Sequence, residues 1–565
     1  MPKVITVHIN GQEIETKSGV SIHHLLNLHP HLKPEEEPLA AIVNNRCVGL
    51  YHRVYSNCSV ETLDISHSQG MLIYRRTACA IMYAAFAELY PFWDLEIGQS
   101  LEGGYFFEIK AHHKDAPALP GDKDSMRDLS EKVMEKMQEI VDAKLRLRPV
   151  LVATDEAREY MRNAKRMDKV RLLDLHTRPE IEWLVLRQFR DLTHGPVASS
   201  TGAITRWDIV PYMPGILLRF PTKDGRRPGK VRKAAKLFQV YRETRSWNEL
   251  VGTWNVGLLN AQGLFGNISE VIKVGEGLHE KKIANIADSI SRRVKQSGHS
   301  IVVLVAGPSS SGKTTFSKRL AIQLRVNGLQ PKVISLDNYY INRVNNPVHE
   351  DGSLDLEHID ALDLPLLNDH LERLLRGEEV QTPIYNFQRG ERSSKTIPMQ
   401  LAPGQVLLTE GIHGLNDQLT AGIPAEQKFK IYVSALTQLS IDDHNRINTS
   451  DTRLLRRIVR DRKYRGYNAA QTIEQWPSVQ RGEGRWIFPF QEDADVMFNS
   501  ALIYEHAALA PYAHRYLLEV AQDSPAYVEA YRLLQFVELF VPIFVEEVPP
   551  TSILREFIGG SSFNY

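Results

Sequence analysis

Strongly apolar residues occupy every second position near the start of the chain. Ile5, Val7 and Ile9 have the period of a strand with one buried face, and Asn10-Gly11 is typical of a two-residue hairpin turn. A short helix and two further strands are expected nearby, at 23–28, 40–43 and 60–65. The pattern predicts a small β-grasp unit over residues 3–63.

The pattern then changes twice. Residues 66–220 mix helical and strand periods, and an apolar stripe at helical spacing predicts an amphipathic helix through Leu129, Val133, Met137 and Ile140. A connecting helix is predicted at 277–297. From Ile301 onward, apolar strands alternate with helices, which predicts a parallel sheet flanked by helices.

Composition and charge narrow the classes of protein. The chain has 565 residues, of which 43% are hydrophobic and 24% charged, as in ordinary globular domains. Lys plus Arg and Asp plus Glu both total 68, so the protein has no overall positive charge that would attract nucleic acid non-specifically. The basic stretch 219–236 is interpreted as a solvated loop or linker, with a nucleic-acid patch as the alternative. Cys47, Cys58 and Cys79 form no CxxC pair, and no signal peptide or membrane span is recognised, so a reduced, cytoplasmic protein without a membrane partner is expected.

A phosphate-binding loop opens the parallel-sheet region. Residues 307–314, GPSSSGKT, match G-x-x-x-x-G-K-S/T between an apolar strand and a helical pattern, the context that such a loop requires. Lys313 would reach the β- and γ-phosphates, and Thr314 would ligate magnesium. The other nucleotide-binding residues predicted here share the loop and the first helical turn: Gly307, Ser309, Ser310, Ser311, Gly312 and Thr315.

Carboxylates follow two later strands of the predicted sheet. Asp337 and Glu410 each come where a strand ends, and ligands of open α/β sheets bind beyond these carboxyl ends. Asp337 is predicted to act as the general base toward an attacking hydroxyl, with Lys313 as the second catalytic residue. Glu410, with Thr314 and Asp337, is predicted to hold magnesium.

A helix with a cationic face is predicted at 451–461. Arginines at i, i+3, i+4 and i+7 form that face, and leucine, isoleucine and valine form the other. Guanidinium groups suit the charge of a transferring phosphoryl group, so the helix is interpreted as a lid over the nucleotide. Nucleotide contacts are assigned to Arg456, Arg457 and Arg460, and acceptor contacts to Arg453 and Arg465.

Six motifs and the tail SILREFIGG resemble, in order and spacing, the uridine kinase and phosphoribulokinase family. The motifs are GPSSSGKTT, DNYY, DLEHIDALD, PIYNF, LLTEGIHGLN and DTRLLRRIVRD. The resemblance covers residues 295–565 and implies an α/β P-loop kinase that uses ATP (or GTP) and Mg²⁺ to phosphorylate a sugar 5′-hydroxyl. It also implies that Tyr340, Glu357 and Tyr385 lie at the acceptor.

Four departures from that family concern the acceptor. One is Ile384-Tyr-Asn-Phe387, where uridine kinases have V-Y-D-F. Glu357 stands where uridine kinases have aspartate, Ile359 where they have proline, and Gly390 where they have the base-recognising histidine. A site discriminates strongly between bases only through polar groups that are present. The identity of the base therefore stays open, whereas the kinase chemistry is expected to persist.

The first 220 residues resemble the TGS domain and editing-type domain of threonyl-tRNA synthetase. The likeness rests on GQSLEGGYFFEI (98–109) and DLTHGPVASSTG (191–202). The four metal-ligand positions of that editing domain hold unsuitable residues, namely Arg76, Ala80, Thr193 and Val197. Cys79 and His194 lie one position away and point elsewhere. No zinc is expected, and an editing hydrolase is disfavoured.

The sequence therefore predicts four segments: a TGS-like β-grasp domain (1–63), an editing-like α+β domain (64–225), a connecting helical segment (226–294) and the kinase domain (295–565). The predicted function is phosphorylation of a nucleoside, uridine or cytidine, by a homo-oligomer. Two alternatives are a nucleotide-gated regulator that contacts RNA or the ribosome through the N-terminal domains, and a kinase for another sugar-alcohol acceptor, phosphoribulose-type included.

Overall fold

The N-terminal part is a mixed five-stranded sheet with a helix against it, in a computed structural model that describes residues 3–34, 36–111, 116–226, 228–229, 234–348, 352, 354–386 and 389–564. Its elements are β1 (Val4–Ile9), β2 (Gln12–Lys17), β3 (Val20–Ser21), α1 (Ile22–Leu28), β4 (Ala40–Val43), β5 (Arg46–Val48), β6 (Arg53–Val54) and β7 (Cys58–Leu63). The strand order is β2-β1-β7-β4-β5, with β1 and β7 parallel. Asn10 and Gly11 have φ of 50° and 83°, as the predicted turn requires.

The second part is built on a four-stranded antiparallel sheet of order β13-β14-β9-β8 and a three-stranded sheet β10-β11-β12. Its elements are α2 (Ser68–Leu89), β8 (Trp93–Leu101), β9 (Gly104–Ala111), α3 (Lys123–Asp142), β10 (Val150–Ala153), α4 (Thr154–Asn163), α5 (Met167–Leu173), β11 (Glu180–Leu186), β12 (Phe189–Leu192), β13 (Asp208–Tyr212) and β14 (Gly215–Arg219). All four residues of the stripe that predicted a helix are buried on α3. Helix α2 packs against α3 in the same core.

Three helices follow, α6 (Ala235–Leu250), α7 (Val256–Leu264) and α8 (Ile268–Ser297). The helix predicted at 277–297 is the second part of α8, which ends at Gly298 with φ of 69°. Residues 227 and 230–233 of the basic stretch lie outside the described residues, and α6 begins just after it. No helix in the described ranges is long and apolar enough to cross a membrane.

The C-terminal part is a five-stranded parallel sheet of order β16-β19-β15-β20-β23 between layers of helices. Its elements are β15 (Ile301–Ala306), α9 (Lys313–Val326), β16 (Pro331–Ser335), α10 (Leu364–Leu375), β17 (Val380–Asn386), β18 (Glu391–Met399), β19 (Val406–Glu410), β20 (Lys428–Ser434), β21 (Ser440–Asp442), β22 (Asn445–Arg446), α11 (Thr449–Tyr464), α12 (Ala469–Trp486), β23 (Val496–Asn499), α13 (Glu505–Leu517), α14 (Tyr527–Val537) and α15 (Arg555–Ile558). Along β15, Val303 and Val305 enter the core with α8, α9 and α11, while Val302 and Leu304 enter the core with α10. The expected fold class is confirmed.

The hairpin β21–β22 joins this part to the second one through buried charges. Lys169 Nζ lies 2.5 Å from Asp191 Oδ1 and 3.2 Å from Asp442 Oδ1. His444 Nδ1 lies 2.5 Å from Asp191 Oδ2, and His194 Nε2 lies 3.1 Å from Asp442 Oδ2. These contacts fix the hairpin, and with it the approach to α11, against the editing-like fold.

Candidate active site at the carboxyl edge of the parallel sheet

The loop between β15 and α9 has the geometry of a phosphate cradle. A Cβ at Gly307 would overlap the Val433 carbonyl oxygen, and Gly312 takes a φ of 83° at the start of α9. The Lys313 ammonium donates to the Pro308 carbonyl at 3.0 Å, across the loop. The hydroxyls of Ser310 and Ser311 are buried with no partner among the described residues. Buried polar atoms without partners fit a loop that receives phosphate oxygens.

The two predicted carboxylates meet at the same edge of the sheet. Glu410 ends β19, in register with Val305 and Ser335 of the neighbouring strands. The Thr314 hydroxyl lies 3.3 Å from Glu410 Oε1. Burial, and then the charge of Asp337, raises the pKa of Glu410 to about 7. Threonine and carboxylate oxygens so arranged fit a magnesium ion, whose charge would offset this repulsion.

Asp337 lies two residues beyond β16, half-buried near the loop lysine. Burial raises the pKa of Asp337, and the charges of Lys313, Arg465 and Arg460 oppose that rise. Burial in turn lowers the pKa of Lys313, against the charges of Glu410 and Asp337. The structure thus brings the two predicted catalytic residues together in a partly desolvated setting where charge interactions are strong.

Helix α11 carries the predicted arginines onto the phosphate loop. Arg457 donates to Ser309 Oγ at 2.9 Å, Arg453 to the Ser309 carbonyl at 3.2 Å, and Arg456 to the Ser310 carbonyl at 3.4 Å. These contacts place three of the predicted residues at the loop, two of them on its backbone.

The purely cationic character predicted for this face is wrong for the folded protein. Arg453 forms an ion pair with Glu483 of α12, and Arg456 forms one with Glu505 of α13. Both arginines are buried, because α11 packs between these helices, and a buried guanidinium requires a carboxylate partner. Arg453 and Arg456 therefore hold the loop in this structure rather than presenting free charge.

The Asp461 carboxylate is shared by Arg457 and Arg460 of the same face and by Arg465 at the end of α11. Arg460 lies 2.9 Å from Asp461 Oδ1, and Arg465 Nε lies 3.7 Å from the same oxygen. Their charges still reach Asp337, as its pKa records. Of the five arginines assigned from sequence, these two are the ones that face the candidate general base electrostatically.

The residues assigned to the acceptor lie beside Asp337. The rings of Tyr340 and Tyr385 are 5.8 Å apart. Tyr385 N donates to Asn338 Oδ1 at 3.2 Å, so strand β17 is tied to the segment after β16. Burial, and then the charge of Glu483, raises the pKa of Glu357 to about 7. Phe387 of the PIYNF motif lies outside the described residues.

A further arginine stands near Gly390. A Cβ at Gly390 would lie 2.8 Å from Arg343 Nε, and Arg343 N donates to the Gly390 carbonyl at 2.7 Å. The Arg343 side chain therefore passes through the space that a side chain at position 390 would enter. Sequence reasoning missed this residue, because no spacing in the chain connects the two positions.

Two carboxylates that contact the loop were also missed. Glu483 accepts from Ser309 N at 2.9 Å, and Glu556 accepts from the Thr315 hydroxyl at 2.6 Å. Glu556 belongs to the tail SILREFIGG, which the resemblance had already singled out, whereas Glu483 stands in no motif. Long-range partners of this kind leave no periodic signal.

The former metal-ligand positions of the second part hold packing and hydrogen-bonding residues. Arg76 donates to the Pro196 carbonyl at 2.6 Å, and Ala80 and Val197 are buried. His194 faces Asp442, and burial raises the pKa of the Cys79 thiol to about 12. None of these groups is arranged as a zinc ligand.

Comparison with known proteins agrees with this geometry. The model of the Phosphoribulokinase / Uridine kinase family matches residues 302–503. The uridine kinase of Bacillus pumilus is 32% identical over 198 residues, which are 35% of this chain and 85% of that protein. The chain belongs to this kinase family. The uridine kinase of Mycoplasma genitalium is 32% identical over 32% of this chain and 75% of its own length. The expected enzyme class, a kinase with an alcohol acceptor, is confirmed.

The N-terminal part of the kinase is similar to a different protein. The threonine–tRNA ligase of Clostridium kluyveri is 29% identical over 194 residues, 34% of this chain but 29% of that protein. The expected fusion of the two resemblances is confirmed. Among solved structures, D-glycerate 3-kinase from Cryptococcus neoformans aligns over 48% of this chain and 89% of its own at 17% identity, with a TM-score of 0.22.

Proposed function

We propose that the kinase transfers the γ-phosphoryl group of ATP to the 5′-hydroxyl of a pyrimidine nucleoside, uridine or cytidine, in the cytoplasm. The observation that carries the proposal is the electrostatic coupling of Asp337 and Lys313, both half-buried at the carboxyl edge of the sheet, beside Tyr340 and Tyr385. The relatives that share this domain are named as uridine kinases, which favours that acceptor.

Each side chain has a defined task in this proposal. Asp337 takes the proton of the attacking hydroxyl, which makes the oxygen a better nucleophile. Lys313 and the loop amides orient the phosphates. Thr314 and Glu410 would hold Mg²⁺, which supplies charge neutralisation when bound. The contacts of Arg453, Arg456 and Arg457 with the loop keep this arrangement in place.

Arg343 is our candidate for the residue that reads the base. The family's histidine position is Gly390 here, and Arg343 passes through the adjoining space. A guanidinium offers donors in a fixed fork, which suits the carbonyl oxygen of a pyrimidine.

The test is magnesium-dependent release of ADP from ATP by the full-length protein, against a panel of nucleosides and sugar phosphates. We expect stimulation by uridine or cytidine, and a fall in turnover of roughly 10²–10⁴ in Asp337→Asn with ATP affinity retained, because general-base catalysis contributes about that much. Unchanged turnover in Asp337→Asn would remove Asp337 from the mechanism. Stimulation by a sugar phosphate alone would replace the nucleoside with another sugar-alcohol acceptor.

The likeness to threonine–tRNA ligase favours one second candidate, a regulator that contacts RNA through the N-terminal domains. Filter binding of tRNA by the full-length protein at physiological salt tests it, since non-specific binding weakens steeply with salt. Absence of retention under these conditions would reject this function. The predicted homo-oligomer is tested separately by sedimentation equilibrium.

A further inference from the structure

A large cavity lies between the two N-terminal parts and the kinase. Its volume is about 2510 Å³, whereas small-molecule sites are typically about 300–1,000 Å³. Its wall includes Tyr51 of the first part, Tyr105 of the second and Ile441 of the kinase hairpin. The cavity is separate from the phosphate loop, and none of the residues assigned to phosphoryl transfer lines it.

Three arginines converge on one region of this wall, Arg75 and Arg76 from α2 and Arg446 from β22. The guanidinium carbons of Arg75 and Arg446 lie 5.9 and 4.9 Å from the centroid of the same ring, that of Tyr105. All three charges act on Cys79, one turn along α2, where they oppose the rise that burial causes in the thiol pKa. The three groups are therefore close neighbours.

These three charges have no carboxylate partner within the described ranges. Arg75 makes no hydrogen bond to another described residue, and its Nε is buried without a partner. Arg76 donates to a backbone carbonyl, and Arg446 donates to the Gly98 carbonyl at 3.2 Å and to Asn448 Oδ1 at 3.1 Å. Burial lowers the pKa of both Arg76 and Arg446.

Two acidic residues on the same wall are already paired with cations. Asp191 pairs with Lys169 and His444, and Asp451 pairs with Arg532 at 2.8 Å. The buried arginines Arg453 and Arg456 of α11 have carboxylate partners, whereas the partly buried arginines of the cavity have none among the described residues. Clustered guanidinium groups that are partly withdrawn from water and left without a carboxylate partner are stabilised when an anion joins them.

We propose that this cavity binds a phosphorylated small molecule carrying at least two negative charges, with its phosphate held by Arg75, Arg76 and Arg446. Guanidinium forks match phosphate oxygens in a bidentate manner, and three of them suit a dianion better than a single carboxylate. The volume leaves room for an organic group of nucleotide size beyond the phosphate, against Tyr51 and Tyr105. The arginines line a cavity in which Asp191 and Asp451 are already paired, rather than an extended basic surface, which favours a small ligand over a nucleic acid.

The test uses the full-length protein carrying Lys313→Ala, which weakens phosphate binding at the loop of the active site. Equilibrium dialysis with radiolabelled pyrophosphate and UTP measures the remaining affinity. We expect saturable binding of one equivalent, weakened about tenfold or more by Arg76→Gln or Arg446→Gln, because each removes charge-assisted hydrogen bonds. Arg446→Lys, which keeps the charge but loses the fork, is expected to lose an intermediate part of the affinity. The matched control is Arg292→Gln, an exposed position on α8 that should leave binding unchanged.

Three results would overturn the proposal: no binding of either probe, equal binding by all arginine variants, or binding of tRNA while both small phosphates remain inactive. Thermal unfolding of each variant without ligand identifies any that fails to fold. Should both glutamine variants fail to fold, the rise in melting temperature caused by pyrophosphate in the Lys313→Ala protein and in its Arg446→Lys version decides the matter. An equal rise in the two would contradict the site.

Discussion

Glu410 is expected to bind magnesium, yet its surroundings favour its protonated form. Its carboxylate lies 3.3 Å from the hydroxyl expected to share a magnesium ion, yet burial and Asp337 hold its pKa at about 7. The folded protein therefore keeps the proton to a pH at which a free carboxyl has lost it. Since a metal binds the deprotonated form, proton and metal compete at this atom near neutral pH.

This competition predicts a pH-dependent affinity for MgATP. The pKa of Glu410 is raised in the folded protein, so its proton is present below about pH 7 and lost above it. KM for MgATP should rise roughly tenfold for each pH unit below 7, until the pH nears the free carboxyl's pKa. Steady-state kinetics between pH 5.5 and 8.5, roughly the range over which such a group titrates, measures the effect. Glu410→Gln should raise KM and abolish this pH dependence; a profile unchanged in that variant would assign the titration to another group.

A second residue-scale prediction concerns Arg343. If Arg343 reads the base, Arg343→Ala should raise KM for the nucleoside about tenfold or more with kcat nearly unchanged, because it removes binding that ground and transition states share. Initial rates against nucleoside concentration separate the two constants. Arg376→Ala is the control, since Arg376 is an exposed residue at the end of α10. A loss confined to kcat would place Arg343 in another role.

At the scale of elements, helix α11 holds the phosphate loop of the active site in position. Its apolar residues belong to the core that includes β15 and α9. Arg453, Arg456 and Arg457 contact the phosphate loop that precedes α9. The helix is held on both sides by buried ion pairs, to α12 through Glu483 and to α13 through Glu505. A buried pair costs desolvation when formed, but breaking it leaves a charge without a partner.

Removal of one partner should therefore be severe. Glu505→Leu is expected to destabilise the kinase part by roughly 3–5 kcal/mol, because Arg456 would remain buried and unpaired. The double variant Arg456→Met with Glu505→Leu should recover most of that loss in chemical denaturation. Glu519→Leu, which breaks the exposed pair of Arg462 and Glu519, is the control and should leave the midpoint nearly unchanged. Failure of the double variant to recover would show that Arg456 itself is needed for the loop.

The positions of helices and strands were more predictable from sequence than the distant residues that contact them. Strand periods and the P-loop pattern located β1, β15 and α9 to within a few residues, since these signals depend on nearby positions. The arginine spacing located α11, but it gave no sign of Glu483 or Glu505, which are distant in sequence. Pairing of buried charges is set by tertiary packing, so the predicted free cationic face was wrong.

At the scale of the whole molecule, the kinase part and the editing-like part are packed together. The hairpin β21–β22 that precedes α11 packs into the editing-like fold through Lys169, Asp191 and Asp442. Arg446 on that hairpin donates to Asn448, the N-cap residue of α11. An anion bound at Arg446 would therefore lie two residues from the N-cap of α11, the helix that contacts the phosphate loop, and would connect the proposed site to the kinase site.

The packing of hairpin β21–β22 against the editing-like fold should depend most on Lys169. Its ammonium is buried between Asp191 and Asp442, so Lys169→Met would leave two buried carboxylates with their main counter-charge removed. We expect the free energy of local opening of residues 440–446 to fall by roughly 3–5 kcal/mol. Hydrogen exchange of the amides of β21 and β22 measures it directly, without assuming two-state unfolding of so long a chain. Lys132→Met, at an exposed pair on α3, is the matched control and should leave these amides as protected as before. Equal protection in both variants would mean that His194 and His444 suffice to compensate the two carboxylates, and that the packing of the hairpin does not depend on Lys169.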